Sequence, residues 1–199
     1  MPHRMLQIGI AGSSSPNPKP IAKEKARRFA RKLAEYKEEV VLLTGGGGGL
    51  MTIVSEEFSR HGGIVVGIVP LEMESIVKGH PRWNPFNTIE ILSGMSFQAR
   101  SVPLVKSSDV FVCLGGEAGS AIEVLIAYLN AKPTIVITDT GYLTDKLKLL
   151  TDKEGYLDSR KIVKLVFEEN PEEAAEKAYI MGKQAIKKNE KDGVTENLK

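Results

Sequence analysis

The sequence predicts one α/β domain, a doubly wound and mainly parallel sheet with helices on both faces, and three observations predict it. Short apolar runs alternate with longer stretches of helical period along most of the chain. The runs close in glycines or small hydroxyl residues, as strands do where they turn into helices. At 199 residues and 42% apolar content, the chain fills one core of this kind and is too short for two catalytic domains. Parallel strands need right-handed helical crossovers, so such an alternation folds with both sheet faces covered.

Taken in order, residues 5–11 (MLQIGIA) form a buried strand closed by Gly12, Ser13 and Ser14. After a Pro-rich loop, Ala22, Ala26, Phe29, Ala30, Leu33 and Ala34 recur at spacings of three and four, which predicts an amphipathic helix over 21–37. Residues 40–44 are a second strand, broken by glycines at 45–49 before a helix through Leu50, Ile53, Val54 and Phe58 that Gly62 and Gly63 end. A third strand, 64–69, leads into an irregular stretch, 70–87, with Pro70, Pro81, Pro85 and the single Trp83; loops of that length usually serve a site.

Beyond it lie a strand at 88–92, a helix near 95–106, a strand at 110–114, a Gly-rich turn, a helix at 120–130 and a strand at 134–138. A final strand at 162–167 precedes a helix whose start carries Asn170 as N-cap, Pro171 in the first turn and Glu173 as the capping-box glutamate. Residues 1–187 are thus one Rossmann-like domain, and 188–199 a charged tail expected to fray.

Composition narrows the function. The 27 Lys and Arg against 25 Asp and Glu leave a net charge of +2, without the excess that neutralises many nucleic-acid phosphates. Lys23, Lys25, Arg27, Arg28, Arg31 and Lys32 gather on one helix, but interspersed acids and scarce aromatics read as a solvated face, so nucleic acid is not an expected partner. No run of about 18 apolar residues is available to span a membrane, and the single Cys113 forms no internal disulfide. The N-terminus lacks a signal-peptide plan, which points to the cytoplasm. His3, His61 and His80 are scattered without partners at ligand spacing, so no metal site is expected.

The chemistry sits in the turns. In LLTGGGGGLM, Gly45, Gly46, Gly47, Gly48 and Gly49 join a strand to a helix, where bare backbone N–H groups and the helix N-terminus favour a phosphate. No Lys and Ser/Thr pair follows, and the spacing is not that of the dinucleotide fingerprint, which disfavours ATP hydrolysis. CLGGEAGSAIEV repeats the logic with Gly115, Gly116, Gly119 and Ser120. Here two readings stand: Ser120 and Glu123 form a capping box, or they face a ligand. Gly12 and Ser13 bring a third turn to the same crevice. Arg100, in GMSFQARSVPLV, is by itself an ordinary helix-surface arginine.

Together these residues resemble the LOG family of cytokinin-activating phosphoribohydrolases, often mislabelled lysine decarboxylases, and the related molybdenum cofactor carrier proteins. The resemblance spans roughly residues 5–140. The family's GGGxxGLM is matched by GGGGGLM at 45–51 with one residue fewer, and PGGxGTxxE aligns without a gap to 115–123. Glu123 falls on the family's catalytic glutamate, and Arg100 precedes it by the family interval of 23 residues. Three positions depart from the hydrolases: Gly115 replaces proline, Glu117 replaces the second glycine, and Ser101 replaces the lysine after the arginine. The carriers' GGGAGTxxE-like loop accommodates the first departure, whereas Glu117 matches neither pattern.

The resemblance implies a nucleoside 5′-monophosphate substrate cleaved to free base and ribose 5-phosphate. Glu123 would stabilise the oxocarbenium-like transition state and activate water, and Arg100 would hold the nucleotide by a charge-assisted bond. No cofactor is required; the bound species would be a nucleotide, phosphate or molybdopterin. The alternative is a carrier that holds molybdenum cofactor, or another phosphorylated pterin or nucleotide, without cleaving it. A homo-oligomer is also implied, with helices 94–107 and 120–130 contributing Met95, Val102, Leu125 and Tyr128. No lysine on these turns is placed to hold pyridoxal phosphate, so lysine decarboxylation lacks chemical support.

Overall fold

The computed structural model describes residues 4–76, 78–80 and 82–196, with side chains as far as Lys188. His3, Pro81 and residues 197–199 lie outside these. Seven strands, β1 (Leu6–Ala11), β2 (Val40–Thr44), β3 (Ile64–Val69), β4 (Ile89–Leu92), β5 (Val110–Cys113), β6 (Thr134–Ile137) and β7 (Leu165–Glu168), form one sheet in the order β4-β3-β2-β1-β5-β6-β7. Every pairing is parallel; Ile8 of β1 sits between Leu42 of β2 and Val110 of β5.

The two-residue period of the strands sorts the core into two layers. Leu6, Ile8 and Ile10 turn one way, onto Ala22, Ala26, Phe29, Ala30 and Leu33 of α1 (Pro20–Leu33), Val54 and Phe58 of α2 (Leu50–Arg60), and the alanines of α5 (Pro171–Glu196). Ala11, Phe111 and Cys113 turn the other way, onto Leu104 and Val105 of α3 (Phe97–Ser107) and Val124 and Ala127 of α4 (Ala118–Leu129). Among the described residues, two crossovers carry no α-helix. The β3–β4 link is the segment 70–88, and β4 therefore leaves Ile89, Ile91 and Leu92 exposed at the sheet edge. The β6–β7 link contains only a 3-10 stretch, Leu143–Leu150.

Local details differ from the sequence reading for identifiable reasons. α1 stops at Leu33 and a 3-10 turn, Ala34–Tyr36, follows, placing the Tyr36 ring flat on Tyr179 of α5 with centroids 4.0 Å apart. Lys25 is not a solvated residue of the basic helix. It is 6% exposed, and its Nζ donates to the carbonyls of Thr138 (2.7 Å) and Glu169 (3.0 Å), tying α1 to the strand ends beside it. Arg28, Arg31 and Lys32 pair with Glu172, Glu57 and Glu35 or Glu176, so the remaining basic face is largely neutralised by acids.

Asn170 does cap α5, accepting from the N–H groups of Glu172 and Glu173. The return bond comes from elsewhere: the Asn170 N–H donates to Glu168, while Glu173 faces Lys177. α5 itself runs on to Glu196, through most of the stretch read as a frayed tail. Among the described residues, no helix is long and apolar enough to cross a membrane.

Candidate functional site

From β1 the chain moves through β2 and β3 to β4 on one side, then crosses back through α3 to β5 on the other side of β1, so a crevice opens beyond the carboxyl ends of β1, β2 and β5. Backbone bonds clamp the three turns there. The Ser13 N–H donates to the Gly115 carbonyl (2.9 Å), and the Leu50 N–H, at the start of α2, donates to the Ser13 carbonyl (2.8 Å). Gly49 makes that approach feasible: its φ is +74°, and a Cβ would fall 2.1 Å from the Ser13 carbonyl oxygen. The crevice is a cavity of about 560 Å³, within the usual range for small-molecule sites.

Gly12, Ser13, Gly45, Gly47, Gly48, Arg100, Gly119, Ser120 and Glu123 all line this cavity. Gly46, Gly49, Gly115 and Gly116 do not; they shape the turns from behind. Two of them have their amides committed to protein groups, since the Gly46 N–H donates to Thr44 Oγ1 (3.1 Å) and the Gly116 N–H to Thr144 Oγ1 (3.0 Å). Neither amide is free for a phosphate. By contrast, the N–H groups of Gly47 and Gly48, and of Ala118, Gly119 and Ser120 at the start of α4, find no protein acceptor among the described residues; the Ala121 N–H donates to the Glu117 carbonyl.

The capping-box reading of Ser120 and Glu123 is corrected. α4 begins at Ala118 with Glu117 as its N-cap residue, and no side chain caps it. Ser120 and Glu123 are therefore the third and sixth helical residues, and both are buried against the cavity at 6% and 7% exposure.

Arg100 on α3 crosses to Glu123 on α4. Nη1 lies 3.2 Å from Oε1 of the glutamate, and the Ser101 hydroxyl donates to the same oxygen at 2.9 Å. Oε2 takes no bond from the described residues, which leaves one carboxylate oxygen for a ligand. The guanidinium lies against Gly45, where a Cβ would come within 2.6 Å of Nη1. Arg100 Nε is fully buried and has no hydrogen-bond partner among the described residues; an unsatisfied buried donor of this kind is costly. Burial pushes the Glu123 carboxyl above its ordinary value, against the opposing pull of Arg100 and Ser101.

Sequence reasoning missed several lining residues. Met73 and Arg82 arrive from the segment 70–87, and Met51, Phe97 and Gln98 complete much of the wall, together with Glu117, which the sequence already placed in the second Gly-rich turn. Met73 seals the floor beside Gly47, with its sulfur 3.3 Å from where a Cβ would stand. Its turn, Leu71–Met73, is held to the start of α3 because Glu72 accepts the Phe97 N–H. Nothing local in the sequence announces these residues; only the proline-rich length of the segment did. The apolar outer face of α3 and α4 also needs correcting. Met95, Val102 and Leu125 are exposed there, but Tyr128 is 2% exposed and its hydroxyl donates to Asp158.

The sequence pattern of the SLOG cluster4 family matches residues 5–175. No curated protein sequence matches the chain. Among solved structures, TM1055 superposes with a TM-score of 0.77 at 34% identity, covering 86% of this chain and 97% of its own. The molybdenum cofactor binding protein from the phototrophic bacterium Rippkaea orientalis gives 0.68 at 25% identity over 87% and 94% of the two chains. The molybdenum cofactor carrier protein from Chlamydomonas reinhardtii gives 0.69 at 22% identity over 89% and 98%, a likeness of fold. With a pattern match over most of its length and a structural relative above 30% identity, the chain belongs to the SLOG cluster4 family.

Proposed function

We propose that this protein binds a phosphorylated small molecule, a nucleoside 5′-monophosphate or a phosphorylated pterin, in the cavity beyond β1, β2 and β5. The observation that carries the reading is the cavity-lining Arg100 set beside the turn where the N–H groups of Gly47 and Gly48 find no acceptor among the described residues. Cation and amides together suit a phosphate ester, and Phe97, Met51 and Met73 supply apolar wall for a flat heterocycle. A structural relative at 25% identity is described as a molybdenum cofactor binding protein, which supports the same ligand class. Titration calorimetry with AMP tests it: saturable binding is expected, and Gly47→Val, which forces Met73 off the loop, should weaken it. Undiminished affinity in a folded variant would overturn the placement.

A second reading, hydrolysis of the N-glycosidic bond, is favoured by Glu123 Oε2. In that reaction water adds to the anomeric carbon, the bond to the base breaks, and the departing base takes up a proton. An ionised Glu123 would stabilise the positive charge that develops on the sugar and take the proton from the attacking water, while Arg100 fixes the carboxylate's orientation. Against it stands Gly115, whose φ of +108° is closed to proline, so the β5 turn is not the PGG turn of the hydrolases. Chromatography of a nucleoside monophosphate panel decides between the readings: free base supports catalysis, and tight binding without base release assigns a carrier or sensor. Self-association through Met95, Val102 and Leu125 is proposed alongside, with sedimentation as its test.

A further inference from the structure

The crevice is electrically lopsided. At the start of α2 the loop 45–49 carries no acid; among the described residues, Arg100 is buried beside it with no partner for Nε, and Arg82 lines the cavity with no ion-pair partner. At the start of α4, where the N–H groups of Ala118, Gly119 and Ser120 find no acceptor among the described residues, Glu117 occupies the N-cap position and lines the same cavity. Its carboxylate caps nothing and pairs with no cation among the described residues. A carboxylate at a helix N-terminus normally satisfies the amides; here it only adds negative charge to a place otherwise built for an anion.

Resting on the binding reading above, we propose that Glu117 is a specificity-determining residue that directs the single phosphate of a ligand to the α2 turn and rejects a second phosphoryl group at the α4 turn. The repulsion is electrostatic. A further phosphate reaching the α4 turn would place like charges within several ångströms across a partly wet cavity, worth about tenfold in affinity. Uncharged donors such as sugar hydroxyls suffer no such repulsion and can hydrogen-bond the carboxylate.

The experiment compares AMP and ADP by titration calorimetry at fixed pH and salt without divalent cations. It uses the native protein, Glu117→Gln and Glu117→Asp; Glu117 is exposed and unpartnered, so the variants should fold. Glutamine keeps the size and removes the charge. The native protein should favour AMP over ADP by about tenfold, glutamine should erase most of that preference by tightening ADP more than AMP, and aspartate should retain it. A native protein that binds both equally, or a preference unchanged in Glu117→Gln, overturns the role of Glu117 while leaving the binding reading intact. Absence of AMP binding to the native protein overturns both.

Discussion

Replacing Gly49 by alanine tests whether the first two turns are locked as described. The residue has φ +74° and ψ −135°, a region open essentially to glycine alone, and holding alanine there costs about 1–3 kcal/mol. The new Cβ would also stand 2.1 Å from the Ser13 carbonyl oxygen, so the backbone must part and the Leu50 N–H bond of 2.8 Å is lost, adding about 1 kcal/mol. A total of about 3 kcal/mol in a chain of this size lowers Tm by about 6–12 °C. Gly119 provides the contrast. It lies in the first turn of α4 with no atom within 4 Å of a Cβ, so Gly119→Ala should gain about 0.5–1 kcal/mol from helix propensity. Thermal unfolding followed by circular dichroism, with urea titration beside it, measures both. If Gly49→Ala melts within about 2 °C of the native protein, or Gly119→Ala loses as much, the geometry assigned to these turns is wrong.

Glu123 makes stability depend on pH with a definite sign. Its folded carboxyl is held above the ordinary value of 4.5 by burial, so its contribution is fully present below that value and is lost as pH rises through the higher folded one. The stability of the native protein relative to Glu123→Gln should therefore fall from about pH 4.5 upward, and a urea-midpoint difference flat across that interval would refute it. Any base release that depends on ionised Glu123 should rise over the same interval. Cys113 is fully buried and burial pushes its thiol up to about 12, so the native protein should resist thiol reagents at pH 8 and react only when unfolded in urea. Modification of the folded protein at the unfolded rate would contradict the core position.

The helices and strands were legible because their signals are local. Apolar residues at spacings of three and four in α1, short branched runs in β2, β3 and β5, and glycines between them encode burial and turning within a few residues. Five consecutive glycines before α2 marked a candidate ligand loop for the same reason, and Gly45, Gly47 and Gly48 do line the cavity, since an open backbone there is a property of the residues themselves. What the sequence could not show was which groups meet across the crevice. Ser120 and Glu123 have the spacing of a capping box, and only the start of α4 at Ala118 moves Glu123 past the cap to face Arg100. Lys25, Tyr128 and Arg82 gave the same kind of trouble, because a long side chain can serve solvent, a distant carbonyl or a cavity equally well. Local sequence determined where the backbone turns and which faces are apolar. The packing of α3 against α4 and the path of the segment 70–87 decided which charges are buried together, because those contacts join residues far apart in the chain.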